Sequence, residues 1–240
     1  MAPFGASRAG LMSVAEDDIP DSGLWLDDFA NDPTLTSNQI TDRSTYSDLA
    51  YQFDPPEPSE FDGLESRQDW DAVEGDADNW TVDGGQIFFE GTVSSNHNLA
   101  SSLPETVSEG SLVTLRWEFE DAGSIDEDGG VTIAKTNNPP SPLSPGLDEG
   151  YIIRISDAGS IEIRETTNND VIISGSYPSD DETHIAELEI DLDTNELELF
   201  VNGSSEGSTS DSRNTSFDYV GFGTNDGGTW NPKTNRIEVF

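Results

Sequence analysis

The sequence contains no cysteine and few basic residues, with 10 lysines and arginines against 49 aspartates and glutamates. The absence of cysteine excludes a disulfide framework, a thiolate metal site and a cysteine nucleophile. Clustered lysine and arginine side chains, which phosphate contacts require, are also missing, so we expect no nucleic-acid partner. No apolar run of about eighteen residues occurs, and residues 1–19 lack the unbroken apolar core of a signal peptide. We therefore expect no membrane partner.

The formal net charge of −39 is the strongest signal in the composition. Such self-repulsion opposes a compact state at ordinary ionic strength, but in molar salt the screening length falls to about 3 Å. Disorder is the alternative interpretation of so acidic a chain. However, 5 tryptophans, 11 phenylalanines and repeated alternation of aliphatic residues favour a packed core. The composition therefore predicts a folded, halophilic protein.

Residues 184–203 have the clearest periodicity in the chain. Apolar side chains alternate with acidic ones, as in a strand with one buried face. The apolar positions are Ala186, Leu188, Ile190 and Leu192, followed after a polar turn by Leu197, Leu199 and Val201. The turn at residues 193–195 is Asp-Thr-Asn, a composition that favours tight turns. This pattern predicts a β-hairpin.

Further short segments are β-branched or aromatic and are bounded by glycine, asparagine, aspartate or proline. They are residues 86–93, 112–119, 131–134, 151–155, 160–164, 171–173, 219–222 and 236–240. No long helical pattern separates them, so a β-sandwich is favoured over βαβ units. Trp117, in the middle of one segment, is predicted to lie in the core.

The sequence from the hairpin turn to Leu-Phe-Val-Asn-Gly at residues 199–203 resembles the hairpin of concanavalin A-like jelly rolls, which include laminin-G domains and legume lectins. Similar segments occur at residues 24–29, 80–87, 217–223 and 236–240. The resemblance implies an all-β, antiparallel jelly-roll β-sandwich over residues 70–240. Residues 24–69 are expected to form a first strand and a linker, because prolines around residues 54–58 forbid a regular central strand.

Residues 1–23 are predicted to form an extended N-terminal attachment arm. Residues 4–14 resemble the N-terminal segment of minor structural proteins in tailed viruses of bacteria and archaea. The resemblance implies a structural protein on the tail or capsid surface of a haloarchaeal virus, located in the extracellular virion. It would contact other virion proteins through residues 1–23, form a homo-oligomer and adhere to host-surface glycans. An unstructured terminus, a purely architectural role and a secreted glycan-binding module are the alternatives.

Three acidic residues, Glu189, Asp191 and Asp193, are similar to the Glu-x-Asp-x-Glu signature of jelly-roll β-glucanases. That retaining mechanism places two carboxyl groups about 5–5.5 Å apart. Here the last position is aspartate, and carboxylates are frequent throughout the chain. We therefore expect no enzymatic activity and keep a glycoside hydrolase as the alternative. His97 and His184 lack a nucleophile-elbow context and are expected to be polar surface residues.

Two loops carry candidate ligand-binding residues. Asp121, Asp126 and Asp128 offer the oxygen ligands that calcium prefers, with a solvated acidic surface as the alternative. The second set combines an aromatic platform with amide and carboxylate groups suited to sugar hydroxyls. It consists of Asn225, Asp226, Trp230 and Asn231. Core packing is the alternative role for Trp230.

Overall fold

The structure is a computed structural model that describes residues 23–29, 70–75, 80–83, 85–89, 96–108, 110–120, 129–138, 146–157, 159–180, 182–224 and 233–240. All regular elements in these ranges are strands, and no described segment forms an apolar helix of membrane-spanning length. The strands are β1 (Trp25–Asp28), β2 (Asp71–Glu74), β3 (Trp80–Asp83), β4 (Gln86–Phe89), β5 (His97–Val107), β6 (Leu112–Glu120), β7 (Gly129–Ala134), β8 (Gly150–Asp157), β9 (Ser160–Glu165), β10 (Asp170–Ser176), β11 (Thr183–Asp191), β12 (Glu196–Val201), β13 (Ser204–Ser210), β14 (Phe217–Thr224) and β15 (Lys233–Val239).

The strands form two antiparallel sheets. Sheet A has the order β13-β12-β11-β6-β15-β4-β3, with β1 also paired to β15. Sheet B has the order β10-β9-β8-β7-β14-β5-β2. Neighbours in the sheets are often distant in sequence, as expected for a jelly roll. The predicted all-β, antiparallel jelly-roll sandwich is therefore confirmed.

The core lies between the two sheets, because their facing sides carry the apolar residues. In β6 and β11, every second side chain is buried, which matches the alternation in the sequence. Trp117 is fully buried, as predicted, and its Nε1 donates a hydrogen bond to Thr234 Oγ1 at 2.9 Å. The predicted hairpin is β11–β12, in antiparallel register over its whole length. Its turn includes Asn195 at a φ of 57°, a conformation that asparagine tolerates well.

Strand β1 is a full member of sheet A. It pairs with β15, and the Phe29 N–H donates to the Asn235 carbonyl at 3.2 Å. Trp70, which directly precedes β2 of sheet B, donates its indole N–H to Asp27 Oδ2 at 2.6 Å. This bond joins the edges of the two sheets. Residues 30–69 of the predicted linker and residues 1–22 of the predicted arm lie outside the described residues.

The sandwich has two ends with different residues. The loop end is where β6, β14 and β15 meet, and its paired residues are Glu120 with Lys233 and Thr224 with Gly129. The anchor end is the opposite end, where the turn after β9 meets the segment between β13 and β14. There the Arg213 guanidinium contacts Glu165 at 3.2 Å and Asp170 at 2.7 Å.

Candidate functional site

The connections that contain the two predicted ligand sets begin and end at residues of the loop end. The cation set, Asp121, Asp126 and Asp128, and the glycan set, Asn225, Asp226, Trp230 and Asn231, lie outside the described residues. Their flanks are described, and these flanks are paired: Glu120 with Lys233 in sheet A, and Gly129 with Thr224 in sheet B. No local pattern in the sequence groups the two sets, but the strand topology starts both connections from the same end of the sandwich.

A row of polar and glycine residues crosses the outer face of sheet B next to the loop end. It takes one residue from each of seven strands, in the order Glu74, Asn98, Gly223, Gly130, Arg154, Glu162 and Ser174. We call it the polar row. Its central members are buried although they face away from the core between the sheets. Buried polar groups in this position require hydrogen-bond partners.

Asn98 is the residue of the polar row with the most specific contacts. Its Oδ1 accepts the Gly146 N–H at 2.7 Å, and its Nδ2 donates to Glu74 Oε2 at 2.8 Å. The amide lies over Gly223, where a Cβ atom would come within 1.9 Å of Asn98 Oδ1. Asn98 therefore ties the segment around Gly146 to the strand that enters the loop end. Sequence reasoning missed this residue, and its only signal was the asparagine-rich cluster around His97.

The other half of the polar row is an ion-pair network. Arg154 Nη1 lies 2.9 Å from Glu162 Oε1, and Arg164 Nε lies 2.6 Å from the same oxygen. Arg164 Nη1 also donates to the backbone and side-chain oxygens of Asn169. These contacts connect the polar row, at Arg154 and Glu162, to the turn after β9 at the anchor end.

The prediction that both histidines are surface residues is wrong. His97 is 5% exposed and packs on the Phe89 ring, with centroids 4.8 Å apart. His184 is 2% exposed, and its Nε2 lies 3.0 Å from Asp180 Oδ1. Its Nδ1 lies 3.2 Å from the Asn202 amide nitrogen, whose oxygen accepts the Ile185 N–H. Tertiary partners stabilise both rings in the interior, and a single sequence does not display them.

The acidic triplet is divided by the end of β11. Glu189 faces Glu198 of β12, whereas Asp193 lies beyond the strand in the turn. Asp191 Oδ1 accepts the N–H groups of Asp193 at 2.9 Å and Thr194 at 3.0 Å. Burial raises the pKa of Asp191, but these hydrogen bonds outweigh it and hold the pKa below its ordinary value. A general acid needs the opposite shift, so Asp191 has the properties of a turn cap.

One carboxyl on the outer face of sheet A has a raised pKa. Glu238 is 2% exposed, and burial raises its pKa although Arg236 and Arg116 oppose the change. Arg116 Nη1 lies 3.2 Å from Oε2, and Arg236 Nη2 lies 2.5 Å from Oε1. Within the described ranges, no three histidine, aspartate or glutamate side chains are arranged to hold a metal ion.

No protein-family model and no curated protein matches the chain. Among solved structures, the chain is similar to the potassium-bound carbohydrate recognition domain of Emp46p, with 14% identity and a TM-score of 0.51 over 71% of this chain and 88% of that one. The Emp47p carbohydrate recognition domain is 15% identical, with a TM-score of 0.51 over 74% and 91%. A third structure comes from work on endo-acting O-glycanases with which human gut microbiota initiate mucin breakdown. It is 10% identical, with a TM-score of 0.54 over 91% and 98%. These similarities show a lectin-like jelly-roll fold.

Proposed function

We propose that this protein is a glycan-binding, lectin-like domain without hydrolytic activity, and that the ligand binds at the loop end. The observation that carries the proposal is the similarity to two carbohydrate recognition domains, which extends over 88% and 91% of their chains. The polar row supports the location, because its member Gly223 directly precedes Thr224, where the connection that carries Asn225, Asp226, Trp230 and Asn231 begins.

Trp230 is the proposed sugar platform. The other four tryptophans, Trp25, Trp70, Trp80 and Trp117, are at most 2% exposed and belong to the core. In the sequence, Trp230 stands between asparagines and an aspartate, a combination that suits the apolar face and the hydroxyls of a sugar. We further propose that Asp121, Asp126 and Asp128 bind calcium and order the adjoining loop. The residues that flank the two connections are paired with each other in the sheets, and this pairing supports an effect of calcium on the glycan-binding loop.

A glycan array probed in molar salt tests the proposal. Trp230→Ala should reduce binding at least tenfold, because stacking on an aromatic ring is a main source of sugar affinity. Val171→Ala is the matched control, since it removes an apolar side chain that is 45% exposed on the edge strand β10. Unchanged binding in Trp230→Ala would contradict the site, and absence of binding to any glycan would contradict the function. Removal of calcium with a chelator should weaken binding in the unmodified protein.

The second part of the proposal concerns where the domain acts. We propose that residues 1–23 attach many copies to the tail or capsid surface of a haloarchaeal virus, where avidity raises weak single-site affinity by about 10²–10⁴. The acidic composition supports a halophilic source, and the resemblance of residues 4–14 supports the attachment. Mass spectrometry of purified particles tests this. A stoichiometric presence supports it, and complete absence from particles contradicts it.

A glycoside hydrolase is the second candidate function. It is favoured by the similarity to the O-glycanase structure, which covers 91% of this chain and 98% of that one. Incubation with mucin-type and β-glucan substrates, followed by reducing-end analysis, decides between the two. Hydrolysis that disappears in Glu189→Gln or Asp191→Asn would establish the enzyme. No hydrolysis combined with glycan binding would support the lectin.

A further inference from the structure

We propose that β1 is an exchangeable strand, and that the β15 edge of one copy accepts β1 from a second copy of this chain. The inference goes beyond glycan binding, since it concerns how copies associate. It rests on the contacts of β1, on the length of chain that follows it and on the geometry of the β15 edge.

The contacts of β1 are almost all with elements distant in sequence. Trp25 to Asp28 pair with Val239 to Arg236. Trp25 packs edge-on against Trp70, with centroids 5.7 Å apart, and Phe29 is fully buried. Any copy that offers the same β15 edge and the same Trp70 would therefore provide the same contacts. This equivalence is the basis of strand exchange between identical chains.

The connection after β1 is long enough to permit exchange. Residues 30–69 separate Phe29 from Trp70, and a stretch of that length can span at most about 130 Å when fully extended. A strand on a tether competes as if at millimolar concentration, so exchange becomes favourable when neighbouring copies are similarly concentrated. Copies attached side by side on one surface meet that condition. The hairpin β11–β12 does not, because four residues join its strands.

The absence of cysteine makes a disulfide test specific. Asp28 and Arg236 are directly opposed, and the next pair carries the Phe29–Asn235 hydrogen bond. Asp28 and Arg236 thus form a non-hydrogen-bonded pair, with Cα atoms about 4.5 Å apart, within the range of a disulfide. The double variant Asp28→Cys/Arg236→Cys should close into a cross-linked monomer, which confirms that β1 pairs with β15 in solution.

The decisive experiment mixes two single variants, Asp28→Cys and Arg236→Cys, which are refolded together in molar salt and then oxidised. Exchange predicts a disulfide-linked heterodimer whose yield increases with protein concentration, because only β1 of one chain beside β15 of another brings the two thiols together. The matched control mixes Glu189→Cys with Glu198→Cys, which are opposed across the short β11–β12 hairpin.

The control mixture should give only the background level of dimer. A heterodimer yield from the β1–β15 mixture no higher than this background, at every concentration up to the millimolar range, would overturn the proposal. Failure of the double variant to form an internal disulfide would also overturn it, since β1 would then not occupy the β15 edge.

Discussion

The two sheets bury their residues differently. In sheet A, β6 and β11 alternate regularly between buried and partly exposed positions. In sheet B, all six residues of β7 are buried, and both faces of the central strands are covered. The outer face of these sheet A strands is therefore partly exposed to solvent. The outer face of sheet B is instead covered by other segments of the chain.

The acidic residues of the two sheets differ in the same way. On sheet A, Glu189 faces Glu198 and Asp191 faces Glu196, so like charges are opposed across neighbouring strands. On sheet B, Glu162 is shared by two arginines, and Glu165 is paired with Arg213. Sheet A also contains a paired carboxylate, since Glu238 lies between Arg116 and Arg236. The opposed carboxylates are therefore a property of the β11–β12 hairpin, and this hairpin should need salt more than sheet B does.

Removal of salt should give the largest effect. Dilution from molar to about 0.1 M salt lengthens the screening distance from about 3 Å to about 10 Å, which restores the repulsion between opposed carboxylates. We expect hydrogen exchange to accelerate first in β11 and β12 and later in β7 and β8, followed by global unfolding. Simultaneous loss of protection in both sheets would contradict the contrast between them.

The next effect concerns the covered face of sheet B. Gly223→Ala would place a Cβ atom 1.9 Å from Asn98 Oδ1, so we expect a loss of about 2 kcal/mol in the free energy of unfolding. The loss should be smaller in an Asn98→Ala background, because the contact with Asn98 is then removed and only the approach to the Gly146 nitrogen at 2.9 Å remains. Gly207→Ala, on β13 of sheet A, is the control, since its Cβ would meet only Ile173 Cγ2 at 3.3 Å. Equal losses in the two glycine variants, measured by denaturant unfolding, would argue against this account.

Glu165 and Asp191 each accept hydrogen bonds from the turn that follows their strand, and their replacement should have effects of intermediate size. Glu165, 1% exposed, accepts the N–H groups of Thr167 and Asn168 at 3.0 Å each and contacts Arg213, whereas Asp191 caps its turn with two hydrogen bonds near solvent. We expect Glu165→Gln to reduce the unfolding free energy by about 2 kcal/mol at neutral pH and Asp191→Asn by about 0.5–1 kcal/mol.

The pH dependence of this difference has a defined sign. Burial raises the pKa of Glu165, but hydrogen bonds from Asn168 and Thr167 outweigh it, so the folded pKa lies below the unfolded value of about 4.3. The stabilisation is therefore complete above that value and disappears as the pH falls through the lower folded pKa. Unfolding curves of the unmodified protein and Glu165→Gln should converge in acid, and a difference that persists there would contradict the role of the carboxylate.

The smallest effect is expected for Glu189→Thr on the outer face of sheet A. Threonine suits a strand and removes one member of an opposed carboxylate pair, so the unfolding free energy in molar salt should change by less than about 0.5 kcal/mol. A change above about 1 kcal/mol would show that Glu189 has a structural role that its position on the half-solvated sheet does not suggest.

Strands could be predicted from the sequence where one of their faces is exposed to solvent and the other is buried. The alternation of β6, β11 and β12 follows directly from that geometry, and these strands were identified within a few residues. Strand β5 was missed because residues 97–101 are buried on both faces and show no alternation. Strand β13 was missed because its serine-rich sequence has little strand propensity, and it is stabilised by pairing with β12.

The candidate site was less accessible to sequence reasoning. The polar row takes single residues from seven strands, so no local spacing reveals it. Asn98 became identifiable only when Gly146 and Gly223, far away in the chain, were placed beside it. The residues proposed for glycan and calcium binding remain predictions of the sequence, to which the structure adds the paired flanks of their loops.

The position of β15 determines when sheet A can finish folding. β15 lies inside sheet A, with β6 on one side and β1 and β4 on the other, yet it is synthesised after every other described strand. During synthesis, the strands on the two sides of β15 therefore remain two separate groups, each with an unpaired edge. Such open edges can pair with other chains, and the net charge of −39 opposes that association until β15 joins the two halves.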